Sequence, residues 1–531
     1  MNVALIGGGD TALTHSADEI GAKADNLARM AALGLPVPPA FVLPVSLCAR
    51  IVAGDATAER QLDDGLRHGI DFLEKATGKR LGDRRRPLLV SVRSGAARSM
   101  PGMMDTVLDV GATSVAVGGL IRMTGDPRFA WDCRTRFIES YGTVVAGIDN
   151  AAFDAATAQL LRAENVNARS DLDGVALERL AAAYEAIGER ESWLEDPVRQ
   201  LANAARAVFA SWMSERAQTY RRLQKLEGLA GTAVTVQTMV FGNRGAESGA
   251  GVAFSRDPST GEARPVIDVL FDAQGEDIVS GRRTPDTEVA LMRTLPSVAE
   301  QLRGILHKLE QEFHDVQDVE FTIENGRLWM LQTRSAKRTP IAALRIAIDL
   351  VHEGLITPQQ ALEQLSTLDV AALARDRLEG AGEPAAHGIG ASGGVACGRV
   401  AFDSQSAQRL SANGDPVILV RPDTSTSDVT GFAAAAGIVT ARGGRTAHAA
   451  LVARQMGKPS VVGCDSLDID PLARQAHFAD AIIGEGDWIS IDGDNGAIYV
   501  GRHSIRRERP SVELAELDRW RKAVPADCVE G

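Results

Sequence analysis

His448 is the residue whose surroundings point most clearly to chemistry. It ends the run Thr440-Ala441-Arg442-Gly443-Gly444-Arg445-Thr446-Ala447-His448. The apolar residues 437–441 predict a buried strand, the two glycines a turn, and residues 447–456 a helix. His448 then falls in the first helical turn, where unpaired backbone N–H groups and the helix dipole favour an incoming phosphate. The same positive end disfavours imidazolium, so the ring is expected to stay neutral and nucleophilic. Thr446 can cap the helix or donate to a phosphate oxygen. Ala447, Ala449 and Ala450 are small enough to leave room for another domain to approach. A single histidine at a helix start is more often structural, and the motif alone leaves both roles open. The other eight histidines have no comparable setting.

A second set of residues suits phosphate and a divalent cation. Arg93 closes a predicted strand at 88–92 and leads into a loop of small residues that includes Gly102. An arginine so placed can clamp phosphate oxygens. Asp318 and Glu320 are two apart on a predicted strand and therefore share a face. Gln332 lies on the partner strand of a hairpin that turns at Glu324-Asn325-Gly326, and Arg334 follows it. Acidic and amide oxygens suit Mg²⁺, and a nearby arginine suits the phosphates the ion bridges. A surface acid pair is the plainer alternative. The GxxxxGK[ST] phosphate loop is absent from the sequence. Gly7-Gly8-Gly9 reads as a flexible tip, and Arg84-Arg85-Arg86 as a solvated turn.

The elements that must carry these residues form an α/β, multidomain pattern. Residues 1–340 alternate strand-like and helix-like segments, with helical periodicity over about 120–230. Strands are expected at 232–241 and 251–255. Residues 341–387 read as a helical connector. Gly354 is placed to stop its first helix, and Thr357-Pro358-Gln359-Gln360 carries a capping-box pattern for the next. The stretch 379–394, rich in Gly, Ala and Pro, is the candidate hinge. A second α/β unit spans 388–501 and ends in a hairpin of 487–492 with 497–500. The tail, 502–531, is expected to hold at most one charged helix.

Composition sets the class. The chain has 531 residues, 45 % of them apolar and 24 % charged, which suits roughly three or four globular domains. A net charge of −13 makes nucleic acid or an anionic membrane a poor general partner, so any phosphate affinity must be local. The five cysteines are scattered without a CxxC pair, against a zinc site or a disulfide framework. Neither a signal peptide nor an apolar run of about 18 residues is evident, and a cytoplasmic location is expected.

The run from Thr440 through Lys458, with 417–421 and 485–493, resembles the phosphohistidine domain of the pyruvate, phosphate dikinase family. Gly21-Ala22-Lys23-Ala24, residues 88–105, 126–129, 237–243, 251–262, 274–277 and 318–339 are similar to its ATP-grasp-type nucleotide domain. The resemblance runs over about residues 15–501. It implies an ATP-grasp-type domain with a helical insertion, a helical connector, and a swivelling phosphohistidine domain. It implies that His448 carries the phosphoryl group and that Lys23, Arg93, Gly102 and Arg334 meet phosphates. Gln237, Met239 and Val240 would lie along adenine, and Glu320 and Gln332 would hold Mg²⁺ with Asp318 close by. Thr446 matches a threonine that is a regulatory phosphorylation site in some members. Five departures stand out. Ala22 and Ala24 replace glycines beside Lys23, Ala250 replaces a threonine whose hydroxyl faces the phosphates, and Arg445 and Ala447 replace Met and Ser.

The resemblance implies that ATP and inorganic phosphate yield AMP, pyrophosphate and phosphohistidine, with onward transfer to pyruvate to give phosphoenolpyruvate. The family's pyruvate-binding barrel needs about 250 residues, so a separate barrel chain is the expected partner. Homo-oligomerisation is left open. Three alternatives stand beside this reading. One is a kinase of the same charging logic with another acceptor, or with water in place of phosphate. Another is a regulatory phosphocarrier or ATP-binding module without turnover. The third is a degenerate remnant.

Overall fold

The hairpin that carries the acidic strand is fixed by its turn. Asn325 and Gly326 both take positive φ, 48° and 72°, the conformation a two-residue turn needs to match the twist of its strands. It joins Gln317–Glu324 to Arg327–Ser335. The computed structural model describes residues 3–9, 15–98, 100, 104–188, 192–279, 284–369, 373–423, 428–445, 447–470, 473–478 and 481–523. The chain divides into two units: Met1–Val240 with Trp329–Gln332, and Phe241–Leu328 with Thr333–Gly531.

The first unit is built on an antiparallel sheet ordered Ala4–Ile6, Ala40–Leu43, Ala233–Thr238, Val90–Gly95, Thr106–Val110. Its central strands are buried on both faces, and Ala40–Leu43 is apolar throughout, while Ala233–Thr238 also buries Thr235, Gln237 and Thr238. The helical periodicity of 120–230 resolves into Pro127–Val144, Asn150–Glu164, Gly174–Ile187, Pro197–Ser211 and Glu215–Leu223. Asp126, Asp149, Asp173, Asp196 and Ser214 cap these helices through their side chains. Arg134, 1 % exposed, ties the bundle together. It donates to the carbonyls of Ala112 and Leu194 and pairs with Glu185 and Glu195 at 2.8 Å each.

The second unit holds a sheet ordered Asp286–Thr287, Val266–Phe271, Gly249–Phe254, Gln317–Glu324 and, apart from Trp329–Gln332, Arg327–Ser335. It also holds an eight-stranded sheet with a parallel centre, Val395–Ala401, Val417–Arg421, Gly437–Thr440 and Ser460–Val462. The hairpin of Trp488–Asp492 with Ala497–Val500 extends it. The connector helix Pro340–His352 ends before Gly354 (φ +73°), and Thr357 and Gln360 close the expected capping box. Two expectations change. The supposed hinge 379–394 already contains the strands Ala386–His387 and Ile389–Ser392, which join the eight-stranded sheet. Its glycines serve close packing there: a Cβ on Gly390 would stand 2.6 Å from the Gly493 carbonyl. The tail is not a lone helix either. Ser504–Glu508 pairs with Arg375–Glu379, and helix Ser511–Ala523 buries Leu517 and Trp520 against the connector core. The paired strands are mostly charged, so neither shows the apolar alternation by which a strand is recognised.

A buried ion network anchors the connector. Arg256, 4 % exposed, pairs with Glu310, itself 6 % exposed, and with the more exposed Glu353. Ser255 Oγ also donates to Glu310. Arg256→Met would leave Glu310 buried without a counter-charge. Urea unfolding should register a loss of about 3–5 kcal/mol. A loss below about 1 kcal/mol, the value of an exposed pair, would contradict the burial assigned to this network.

Candidate functional site

In the first unit, local packing brings Lys23 and Arg93 to the same end of the sheet. Gly21 (φ +82°) begins the helix Ala22–Ala32 and lies against Gly95, where a Cβ would stand 2.1 Å from the carbonyl oxygen. Ala22 N–H donates to the Ala96 carbonyl at 3.0 Å. Lys23 is therefore exposed in a helical first turn beside the end of the strand that carries Arg93. Arg93 lies opposite Thr235 and Thr106. Gln237 is buried opposite Ser91 and donates to the Pro38 carbonyl at 3.3 Å. Met239 N–H donates to the Leu89 carbonyl, and Val240 is 8 % exposed. Gln332, buried, belongs to this unit. Gly102 and Thr446 lie outside the described residues.

In the second unit, register places a row of functional side chains on one sheet face. Asp268 lies opposite Val252, and Val252 opposite Glu320. Asp318 lies opposite Phe254 on the same face. At about 4.8 Å per strand, Asp268 and Glu320 stand roughly 10 Å apart across the sheet. Arg334 Nε donates to Asp318 Oδ2 at 2.8 Å. Burial pushes the Asp318 carboxyl up, against the pull of Arg334. Its Oδ1 is buried without a hydrogen-bond partner. Burial works against the Arg334 cation too, yet Asp318 and Glu320 outweigh it and hold its pKa above the ordinary value. Burial lowers Lys337, and Arg334 lowers it further. Ala250 is fully buried opposite Thr322, so this row keeps a hydroxyl from the neighbouring strand.

The loop that leads to His448 sits on this same face. Gly443 turns the chain at φ +105°. Gly444 packs so closely that a Cβ would stand 2.4 Å from Pro285 Cγ and 3.2 Å from Asp268 Oδ2. Arg445 donates to both oxygens of Asp268, from its backbone N–H at 3.0 Å and from Nη1 at 3.1 Å. His448 opens the helix His448–Gln455, with Ala447 as an N-cap that makes no side-chain bond. Two turns on, Arg454 is 8 % exposed and stacks over Phe254. Its Nη2 donates to the Ala391 carbonyl at 2.6 Å. Burial lowers its pKa to about 10, against the field of Asp318. Lys458 caps the C-terminal end of the helix Val429–Ala434, donating to the carbonyls of Phe432, Ala433 and Ala435.

Sequence reasoning missed Asp268 and Arg454. A lone aspartate inside an apolar strand and an arginine one helical turn after Ala450 were the available signals. One expectation is corrected. Ala449 and Ala450 are not clearance for an incoming domain, since both pack in the core with Phe432 and Ile438. Among the described residues no three His, Cys, Asp or Glu side chains gather as a metal site, and no helix is long and apolar enough to cross a membrane. Asp318 and Glu320 nevertheless fit a cation that takes one or two carboxylates and completes its shell with phosphate oxygens and water.

Comparison with known proteins gives two family matches. The profile of the pyruvate phosphate dikinase AMP/ATP-binding domain matches residues 53–300 and 292–354. That of the PEP-utilising enzyme mobile domain matches residues 413–496. The pyruvate, phosphate dikinase of Clostridium symbiosum is 43 % identical over 509 residues, covering 94 % of this chain and 58 % of the relative. That of Rhizobium meliloti (strain 1021) is 41 % identical over 529 residues, with 95 % and 58 % covered. The chloroplastic enzyme of Flaveria trinervia is 40 % identical over 508 residues, with 94 % and 53 % covered. The chain thus spans little more than half the length of these relatives.

The coupling of Asp268 and Arg445 can be measured by a double-mutant cycle with Asp268→Ala and Arg445→Ala in urea unfolding. Asp268 is 2 % exposed and Arg445 22 %, so a coupling of about 1–3 kcal/mol is expected. Additivity within about 0.5 kcal/mol would show that the loop does not rest on this pair.

Proposed function

Because the chain belongs to the pyruvate, phosphate dikinase family, we propose that it is an ATP-dependent phosphotransferase that charges His448. The observation that carries this reading is the placement of the His448 helix over the sheet face holding Asp318, Glu320 and Asp268. The imidazole of His448 attacks the β-phosphorus of ATP and AMP leaves. The γ-phosphoryl group passes to inorganic phosphate as pyrophosphate, and the β-phosphoryl group stays on the histidine. The nucleotide domain is of the ATP-grasp type, and two antiparallel sheets, one in each unit, support that reading.

The residue roles follow the family resemblance and the local chemistry. Lys23, Arg93 and Arg334 are cations for the phosphates, and Gly102 lies near the terminal one. Gln237, Met239 and Val240 line adenine. Asp318, ion-paired to Arg334, fixes the guanidinium in one orientation, and a bidentate-capable arginine so held suits a phosphoryl oxygen. Glu320 and Gln332 would hold Mg²⁺, with the orphaned Oδ1 of Asp318 as a further acceptor nearby. When bound, the ion would neutralise charge on the nucleotide phosphates. Arg445, fixed on Asp268, holds the loop before the nucleophile rather than facing solvent as a free cation. Thr446 remains a candidate regulatory phosphorylation site.

The relatives extend well beyond the matched residues. We assign discharge of the phosphohistidine to pyruvate, forming phosphoenolpyruvate, to a barrel outside residues 1–531. The domain of 388–501 would swivel on the connector of 341–387 to reach it. The acidic charge argues against nucleic acid as a partner, and a cytoplasmic location suits these substrates.

Incubation with Mg²⁺, inorganic phosphate and ATP labelled at the β-phosphorus tests the reading. Native protein should acquire acid-labile label and release AMP and pyrophosphate, and His448→Ala should acquire none. Release of AMP without protein-bound label would favour a kinase that uses water or another acceptor. ATP binding without label under any condition would favour a binding module and sink the charging mechanism.

A further inference from the structure

The body of residues 386–501, which carries the His448 helix, builds its apolar clusters from its own residues. Those around Ile418 and Ile491, around Ile438 and Ala450, and around Val417 and Leu419 contain residues of 386–498 alone. The sheet that faces it packs Val252, Leu270, Ala273 and Ile278 into a separate cluster. The contacts that cross between the two are of another kind. Asp268 accepts from the Arg445 backbone N–H at 3.0 Å and from Nη1 at 3.1 Å. Thr284 Oγ1 donates to Asp465 Oδ1 at 3.2 Å. A Cβ on Gly463 would stand 3.0 Å from Thr284 Cγ2, and one on Gly393 3.1 Å from the Ser259 carbonyl oxygen. Polar contacts of this sort between two bodies of one chain permit relative motion unless something holds them. The charges across the contact are complementary. Arg454 donates to the carbonyls of Ala391 and Arg445 and meets Asp318, Asp257 and Asp268 through their fields. Arg445, by contrast, closes on Asp268 directly. The aspartate is 2 % exposed and the arginine 22 %, so the acid is fixed in one body and the cation sits on a loop of the other.

We propose that Asp268 and Arg445 form an electrostatic latch that sets how much of the time the body of 386–501 rests on this sheet face. A charge-assisted hydrogen bond to a buried carboxylate is stronger than a neutral one, and the other crossing bond, from Thr284, has a neutral donor. Arg445 also stands three residues before His448, so a closed latch keeps the start of that helix on the face that holds Asp318 and Glu320. The backbone N–H of residue 445 can reach Asp268 whatever its side chain, so removing the guanidinium loosens the latch and leaves the loop intact. Methionine, which the family carries here, has no charge to offer, so the latch belongs to this chain's own sequence. Arg445 is therefore a positioning residue that acts through Asp268. The consequence for His448 rests on the phosphotransfer reading, while the latch itself does not.

Pulsed electron spin resonance tests the proposal in the full chain, with spin labels at Val289→Cys and Ile482→Cys. These positions are 73 % and 65 % exposed, one beside the sheet and one on the moving body. A parent that also carries Cys397→Ser and Cys528→Ser keeps only Cys48, Cys133 and Cys464, all buried. This parent should show one dominant distance. Arg445→Met and Asp268→Asn should each raise the ratio of other distances to that one by about fivefold or more, the factor that about 1 kcal/mol of coupling carries. Arg445→Lys restores the charge and should stay within about twofold of the parent. Asp268→Asn keeps the shape of the buried side chain and Arg445→Met alters a partly exposed one, so both should keep the native circular dichroism. A parent without a dominant distance, an unchanged distribution in Arg445→Met or Asp268→Asn, or a lysine variant as broad as the methionine one would overturn the latch. The measurement needs no turnover, so its failure and a failure to charge His448 are told apart.

Discussion

The carboxylate of Asp268 is the contact on which the arrangement of the second unit depends. It is buried in the middle of a strand, where an unpaired charge would be costly. The backbone N–H and guanidinium of Arg445 satisfy it. That pairing fixes the residue three positions before His448, and the helix start is fixed with it. Gly444 permits the approach, because any side chain there would strike Pro285. Arg454 adds a second tie from the same helix to the same face, through Phe254 and the field of Asp318.

Much of this was legible in the sequence because the signals were local. The hairpin turn at Asn325-Gly326, the capping box at Thr357, and the strand–turn–helix around His448 each depend on a few adjacent residues. Asp318 and Glu320 share a face because strands alternate. What was not legible depends on residues distant in sequence. Asp268 and Arg445 are far apart along the chain, and neither shows its partner in its own neighbourhood. The ribbon of Arg375–Glu379 with Ser504–Glu508 is held by backbone pairing between charged strands. Ala449 and Ala450 read as surface clearance because smallness suits both a docking face and a tight core. Only the fold decides between them, and Phe432 and Ile438 fill that space.

The acidic chain gathers its positive charge into separate local sites, and their chemistry differs. Arg334 is pinned by a buried aspartate and is oriented. Arg445 is consumed by Asp268 and acts on position. The same residue type thus serves orientation in one place and docking in the other.

The central claim, that this chain by itself charges His448 reversibly from ATP, is tested most directly by isotope exchange. Labelled AMP would be incubated with ATP, inorganic phosphate, pyrophosphate and Mg²⁺, and its entry into ATP followed without pyruvate. The account predicts exchange in native protein that vanishes in His448→Ala. Exchange that persists in His448→Ala, or none in native protein that binds ATP, would contradict it.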